Sequence, residues 1–211
     1  MKELGNPDYK QLEKDFSKFL GDLNLNYKFI INRAYQGLNF ASFGYDKIIN
    51  LNAIPLEKRA KEKKWPVEDT FLLALCHELG HAEDPEYSNL YSKVNATFNE
   101  FESFRKQLAR LRQFKQKDFD KLNDILDEYN KLTQKMETNA MNIGERFIPD
   151  RLKKQFEEDN NENLRLYYFK VMELRRIDKV FYELRDTNAD LTKALKEYEK
   201  KLKAIDAIRR Q

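Results

Sequence analysis

The two histidines of the chain stand four residues apart, in the segment His77-Glu78-Leu79-Gly80-His81. On a helix, side chains at positions i and i+4 share one face about one turn apart, so both imidazoles could reach a single cation. Glu78 is rotated about 100° around the helix axis from His77, which is where a general base for a metal-bound water belongs. The spacing predicts a zinc site with His77 and His81 as ligands and Glu78 as catalytic base; the alternative is two ordinary helix histidines beside a surface glutamate.

The third protein ligand of such a site is not fixed by this motif. A catalytic zinc ion needs three protein ligands and one open position for water. No histidine remains, so the third ligand is a carboxylate, Cys76 or a group supplied by a partner. Cys76 points about 100° away from His77 around the helix, which favours a small buried residue. The metzincin pattern is excluded, because Tyr87 stands where its third histidine would be.

Two downstream glutamates remain as candidates, since the acidic residues at 83, 84 and 86 lie too close to His81 to fold back onto the same ion. Glu137 is favoured because Ala140 and Gly144 follow it on the same helix face, where small side chains would allow a close approach to the histidine helix. Glu145 is the alternative. Spacing alone also leaves open that Glu137 is a solvated surface residue.

The segments before residue 83 predict a small α/β layer that carries the histidine helix. That helix is predicted from Val67 to about Ala82, bounded by Trp65-Pro66 and Asp84-Pro85. Residues 27–52 are rich in β-branched and aromatic side chains and predict a sheet of two or three strands. Two further helices are expected, one starting at Asn6-Pro7 and one over residues 56–63.

From Glu86 onward, apolar residues at steps of three and four predict helices almost throughout. A polar break is expected at Asp159-Asn160-Asn161, and Thr187 to Asp190 could cap a last helix. The predicted fold class is α+β, mainly α, with a small antiparallel sheet next to a zincin-type active-site helix. The predicted domains are a metallopeptidase core of 1–150, with a helical insertion at about 86–135, and a C-terminal helical extension of 151–211.

The order of these motifs resembles the ImmA/IrrE-like family of zinc metallopeptidases. The resemblance covers roughly residues 25–150 and rests on the strand ending in Ile48-Ile49-Asn50-Leu51-Asn52, the HExxH segment, Glu137-x-x-Ala140 and Phe147-Ile148-Pro149. It implies that Glu137 is the third zinc ligand, and that the protein is found on phages or mobile elements and acts on a regulatory protein. The long stretch between His81 and Glu137 and the helices after Asp159 have no counterpart in the family pattern.

Composition limits the other function classes. Lys and Arg number 39 against 36 Asp and Glu, mixed along the chain, so nucleic-acid binding through bulk charge is not indicated. A single cysteine excludes an intramolecular disulfide. No signal peptide or membrane-spanning run is recognised, so a cytoplasmic location without membrane partners is expected.

The resulting hypothesis is a peptidase in which zinc activates water, Glu78 takes its proton and a protein or peptide is the substrate. The strand around Lys47 to Leu51 could pair with an extended substrate. The alternative is a non-catalytic helical interaction module with a structural or vestigial zinc site. Against it, structural zinc sites usually have four Cys and His ligands, and this chain has three such residues in total. The helices would also allow a homodimer.

Overall fold

The computed structural model describes residues 7–37, 39–44, 47–110, 115–186 and 200. These residues are mainly helical with one small sheet, which confirms the predicted α+β class. A short 3-10 turn (Asp150–Leu152) precedes the last described helix. In chain order the elements are α1 (Tyr9–Asp22), β1 (Lys28–Asn32), β2 (Ala41–Phe43), β3 (Ile48–Asn52), α2 (Ala53–Lys63), α3 (Val67–Glu83), α4 (Tyr87–Arg110), α5 (Gln116–Gly144) and α6 (Lys153–Asp186).

The ends of the first helices follow local capping chemistry. Helix α1 begins at Tyr9, and the Asp8 carboxylate accepts hydrogen bonds from the backbone N–H groups of Lys10 and Gln11, both at 3.1 Å. The predicted start at Asn6-Pro7 is therefore wrong, because Asp8 is the cap. The predicted bounds of the histidine helix are confirmed within one residue, since α3 ends at Glu83.

The sheet is mixed, with the strand order β1-β3-β2. Strand β3 pairs parallel with β1 and antiparallel with β2. The prediction of an antiparallel sheet is thus wrong for one of its two pairings. Residue types mark which segments form strands, but the direction of pairing depends on how the chain connects them. Here the chain reaches β2 before β3, and β3 then inserts between its two predecessors.

This order also corrects the expected substrate strand. Both edges of β3 are occupied, and its Ile49 and Leu51 side chains are fully buried. A strand hydrogen-bonded on both sides has no free backbone groups to offer a peptide. The prediction that the strand from Lys47 to Leu51 pairs with a substrate is therefore wrong, and in the described part of the chain the outer strands of the sheet are β1 and β2.

The described chain falls into two compact units. Among the described residues, unit 1 comprises those from 7 to 84 and from 140 to 158. Its main apolar core joins α1, the sheet, α2 and α3, and a second cluster joins α3 to the segment after α5. Arg151 of that segment forms an ion pair of 2.7 Å with Asp69 in the first turn of α3. The predicted domains, 1–150 and 151–211, concern parts that fold on their own and stay a prediction.

Unit 2 comprises residues 85–139 and 159–209 and is helical where it is described. Its apolar clusters join α4 to α5, and the larger one also includes Val171 and Leu174 of α6. The predicted break at Asp159-Asn160-Asn161 is wrong, because α6 runs through it. Asn160 is only 4% exposed, so at least one of these polar residues belongs to the interior rather than to a loop. The last helix predicted after Thr187 lies outside the described residues.

None of the helices in the described part of the chain is both long enough and apolar enough to cross a membrane.

Candidate metal centre

Helix α3 presents different side chains to the core and to the candidate site. Phe71, Leu75 and Leu79 recur at steps of four, have no exposed surface and pack in the main core of unit 1. The neighbouring positions carry the polar side chains of the motif. Glu78 and His81 are 7% and 6% exposed, and His77 is half-buried. Burying two ionisable groups on one helix is costly unless they have partners, which is typical of a functional site.

The last turn of α5 approaches the backbone of α3 very closely within unit 1. A Cβ atom placed on Gly80 would overlap the carbonyl oxygen of Ala140, and one on Gly144 would lie 2.5 Å from the carbonyl oxygen of Cys76. Side chains at both glycines would force the two helices apart. The prediction that Ala140 and Gly144 allow a close approach is therefore confirmed, with Gly80 as its counterpart on α3.

Glu137 lies one turn before Ala140 on the same uninterrupted helix. It is 8% exposed, and it forms a group with His77 and His81 in which one ligand atom from each residue lies within 4.8 Å of the others. The two imidazole rings are nearly perpendicular, at 86°, with their centroids 4.9 Å apart. Among the described residues, these are the three side chains of metal-ligating type that lie close enough together to hold one ion.

The donors of this group fit a metal ion. Two imidazole nitrogens and one carboxylate oxygen are a ligand set that catalytic zinc uses, and three protein ligands leave a position for water. Tetrahedral ligands about 2.0–2.1 Å from an ion lie roughly 3.3 Å from one another, so the three side chains need small rotations to meet one ion. The structure thus contains a largely buried His-His-Glu group that could hold a metal ion.

The other candidate ligands lie elsewhere. Glu145 is exposed and is not part of the group. Cys76 is fully buried against the segment after α5, as predicted, and burial raises the pKa of its thiol far above the usual range. Its side chain packs in this apolar cluster and is not part of the His77, His81 and Glu137 group. Neither residue competes with Glu137.

One residue near the end of α3 was missed by sequence reasoning. The Tyr27 hydroxyl donates a hydrogen bond to Glu83 Oε1 at 2.6 Å and lies 3.3 Å from the carbonyl oxygen of Ala82. Its ring packs edge-on against Phe43 of β2, with centroids 6.1 Å apart. Burial and the bond to Glu83 raise the pKa of Tyr27 to about 12. Tyr27 therefore ties the end of the histidine helix to an edge strand, and nothing in its local sequence indicates this.

No protein-family model, no curated protein and no solved structure matches the chain. Any function therefore has to be argued from the site itself.

Proposed function

We propose that the protein is a zinc-dependent peptidase of the ImmA/IrrE-like kind, with His77, His81 and Glu137 as metal ligands and Glu78 as catalytic base. The observation that supports this most is the group of three ligand atoms within 4.8 Å on α3 and α5. Glu78 is the residue after the first ligand, so a buried carboxylate accompanies the metal ligands without belonging to them. A purely structural site would not need such a carboxylate.

Bound zinc would lower the pKa of a water to about 7 and would polarise the scissile carbonyl group. The Glu78 carboxylate would accept the proton of the attacking water and deliver it to the leaving amine nitrogen. His77 and His81 would bind the ion as neutral imidazoles. Their rings are nearly perpendicular to each other and extend from the same face of α3. Gly80 would keep α5 close enough for Glu137 to bind the same ion.

Strand β2 is the edge that supports peptide binding beside α3. In the antiparallel pair, Asn52 N–H donates to Phe40 O and Gly44 N–H donates to Ile48 O, so Ser42 exchanges its bonds with β3. The backbone groups of the alternate residue Ala41 then face away from β3. An extended substrate could pair with these groups, as peptides do at exposed sheet edges.

The first test is the metal content of the purified protein, measured by mass spectrometry. We expect about one zinc ion per chain in the wild type and a loss of at least tenfold in zinc affinity in His77→Ala and Glu137→Ala. Glu145→Ala is the matched control, because it removes an exposed carboxylate from the segment directly after α5 and should keep full zinc content. Equal zinc loss in Glu145→Ala and Glu137→Ala would overturn the ligand assignment.

The second test separates metal binding from catalysis. With quenched fluorescent peptide libraries or a phage regulatory protein as substrate, Glu78→Gln should bind zinc like the wild type and cleave at least 100-fold more slowly. Cleavage at the wild-type rate by Glu78→Gln would overturn its assignment as the base.

A second function, protein binding by the helices with a structural or vestigial metal site, is supported by exposed aromatic side chains on α6, where Tyr168 and Phe169 are 50% and 60% exposed. It predicts a protein that retains zinc and binds a partner without cleaving it. Full zinc content without any cleavage that depends on Glu78 would favour this function over the peptidase.

A further inference from the structure

Unit 2 has a cleft of about 720 Å³ between α5 and α6. This volume is in the range of binding pockets rather than of packing defects. Its lining includes Asn130 and Gln134 of α5 and Asn161, Arg165, Tyr168 and Phe169 of α6.

The two helices are adjacent and antiparallel along this cleft. Gln134 Nε2 donates a hydrogen bond of 3.0 Å to the carbonyl oxygen of Leu164. Further towards the start of α5 and the end of α6, Arg175 donates to the carbonyl oxygen of Asn123 at 3.4 Å. Asn130 and Gln134 are four residues apart on α5 and share one face of that helix. Asn161 and Arg165 share one face of α6 for the same reason. The cleft therefore lies between two regular rows of side chains on firmly connected helices.

Three carboxamide side chains line the cleft, and each offers the same groups as a peptide bond, an N–H donor and a carbonyl acceptor. Asn130 Oδ1 is buried and has no hydrogen-bond partner among the described residues. The exposed Asn161 and the half-buried Gln134 supply further donors and acceptors at the same cleft.

The α6 side of the cleft is both apolar and cationic. Tyr168 and Phe169 are 50% and 60% exposed, with ring centroids 6.2 Å apart. Arg165 is exposed beside them and forms no ion pair with any described residue. Exposed aromatic residues and arginine are the side chains most enriched at the energetic centres of protein interfaces.

We propose that this cleft binds an extended peptide segment of a partner protein, carrying an aromatic or aliphatic side chain next to an acidic one. The carboxamides pair with the peptide backbone, Tyr168 and Phe169 contact the apolar side chain, and Arg165 pairs with the carboxylate. One arginine among neutral amides neutralises too few phosphates for a nucleic acid to be the favoured ligand. The assignment of the bound segment to the substrate rests on the proposed peptidase function. The peptide binding itself does not rest on it.

The experiment is a fluorescence anisotropy titration of the full-length Glu78→Gln protein, in which cleavage cannot consume the probe. The probes are two pools of labelled octapeptides, N-acetylated and C-amidated, with Phe or Leu at a central position. The residue after that position is Asp or Glu in the acidic pool and Lys in the other, and the pools are otherwise identical. We expect the acidic pool to bind at least tenfold more tightly. Arg165→Glu should remove this preference, and Asn161→Ala should weaken binding about threefold; both residues are exposed, so their replacement spares the fold.

Arg176→Glu is the matched control, since it makes the same charge change on the same helix at an arginine that pairs with Glu173 and does not line the cleft. It should leave peptide binding unchanged. Equal binding of both pools, an equal loss in Arg165→Glu and Arg176→Glu, or competition by a single-stranded oligonucleotide would overturn the proposal. So would a wild-type dimer, seen by light scattering, that Tyr168→Ser converts to a monomer, because a second copy would then fill the cleft.

The outcome can be separated from that of the peptidase proposal. Arg165→Glu should keep the zinc content of the wild type, and a chelator should leave the affinity for the acidic pool unchanged. Peptide binding without zinc would sustain the cleft and sink the peptidase, and zinc-dependent cleavage without peptide binding would do the reverse.

Discussion

Helix α3 of unit 1 and helix α6 of unit 2 differ in how completely they are buried. In unit 1, α3 has Phe71, Leu75 and Leu79 fully buried, and its Gly80 lies directly against the backbone of α5. In unit 2, α6 has Val171 and Leu174 buried but leaves Phe169 and Met172 exposed by 60% and 41%. Helix α3 therefore fixes the positions of its side chains, whereas α6 keeps apolar surface available.

This difference matches what the two proposed activities require. A metal site needs ligands held within about 0.5 Å of a productive geometry, and close packing supplies that precision. Recognition of a peptide needs accessible aromatic side chains and hydrogen-bonding groups that are not already used.

The largest expected difference is between two phenylalanines. Phe71→Ala in unit 1 removes a fully buried ring and should lower the free energy of unfolding by about 3–5 kcal/mol. Phe169→Ala in unit 2 removes a ring that is 60% exposed and should change it by no more than about 0.5 kcal/mol. Urea unfolding followed by circular dichroism measures both. Similar losses in the two variants would mean that α6 is not exposed in solution and that the comparison fails.

The next difference is between two glycines. Gly80→Ala should destabilise the protein by about 1–3 kcal/mol and weaken zinc binding, because the added methyl group meets the carbonyl oxygen of Ala140. Gly21→Ala is the control, since a Cβ there meets nothing within 4 Å, and it should stabilise α1 by about 0.5–1 kcal/mol. Neither glycine has a positive φ, so space alone distinguishes them. Thermal unfolding and zinc titration of both variants give the result.

The glycine pair also illustrates which parts of the site could be predicted from sequence. The spacing of His77 and His81, and the small residues that follow Glu137, are local patterns, and the structure brings all three candidate ligands together. Proline residues on both sides marked the bounds of α3, and these too are a local pattern. Local patterns sufficed for His77 and His81 because helix periodicity determines which side chains share a face. They left Glu137 open, and the choice of this carboxylate came from the family resemblance.

Properties that depend on distant parts of the chain could not be predicted. The parallel pairing of β1 with β3 is set by chain connection, not by residue type. Asn160 looked like part of a loop, yet α6 buries it, because tertiary packing overrides weak propensity. The bond from Tyr27 to Glu83 joins residues far apart in sequence, and eleven tyrosines offered no reason to choose this one.

Two ion pairs provide a smaller test. Asp69 in unit 1 is 8% exposed and pairs with Arg151, so Asp69→Asn should cost about 1–2 kcal/mol through loss of the pair and of a negative charge in the first turn of α3. Glu86 pairs with Lys135 in unit 2, where both side chains are about half exposed, and Glu86→Gln should have no measurable effect. Unfolding in low and high salt checks both variants. A larger loss from Glu86→Gln would show that unit 2 also depends on fixed charge pairs.

The smallest expected effect concerns the Tyr27 hydroxyl. Tyr27→Phe keeps the ring against Phe43 but removes the hydrogen bond to Glu83, and it should cost about 0.5–1 kcal/mol at neutral pH. The pKa of Tyr27 is about 12 in the folded chain, against about 10 for an unfolded tyrosine. A raised pKa means that the stabilisation is complete below pH of about 10 and is lost as the pH rises through about 12.

The two unfolding curves should therefore differ at pH 8, and the advantage of the wild type should disappear as the pH rises above about 10. Tyr168→Phe is the control for unit 2, because it removes a half-exposed hydroxyl and should leave unfolding unchanged. A constant difference between wild type and Tyr27→Phe over the whole pH range would show that the hydroxyl does not act through its proton. The end of the histidine helix would then be held by packing alone, and the contrast between the units would rest on buried apolar surface without any contribution from this bond.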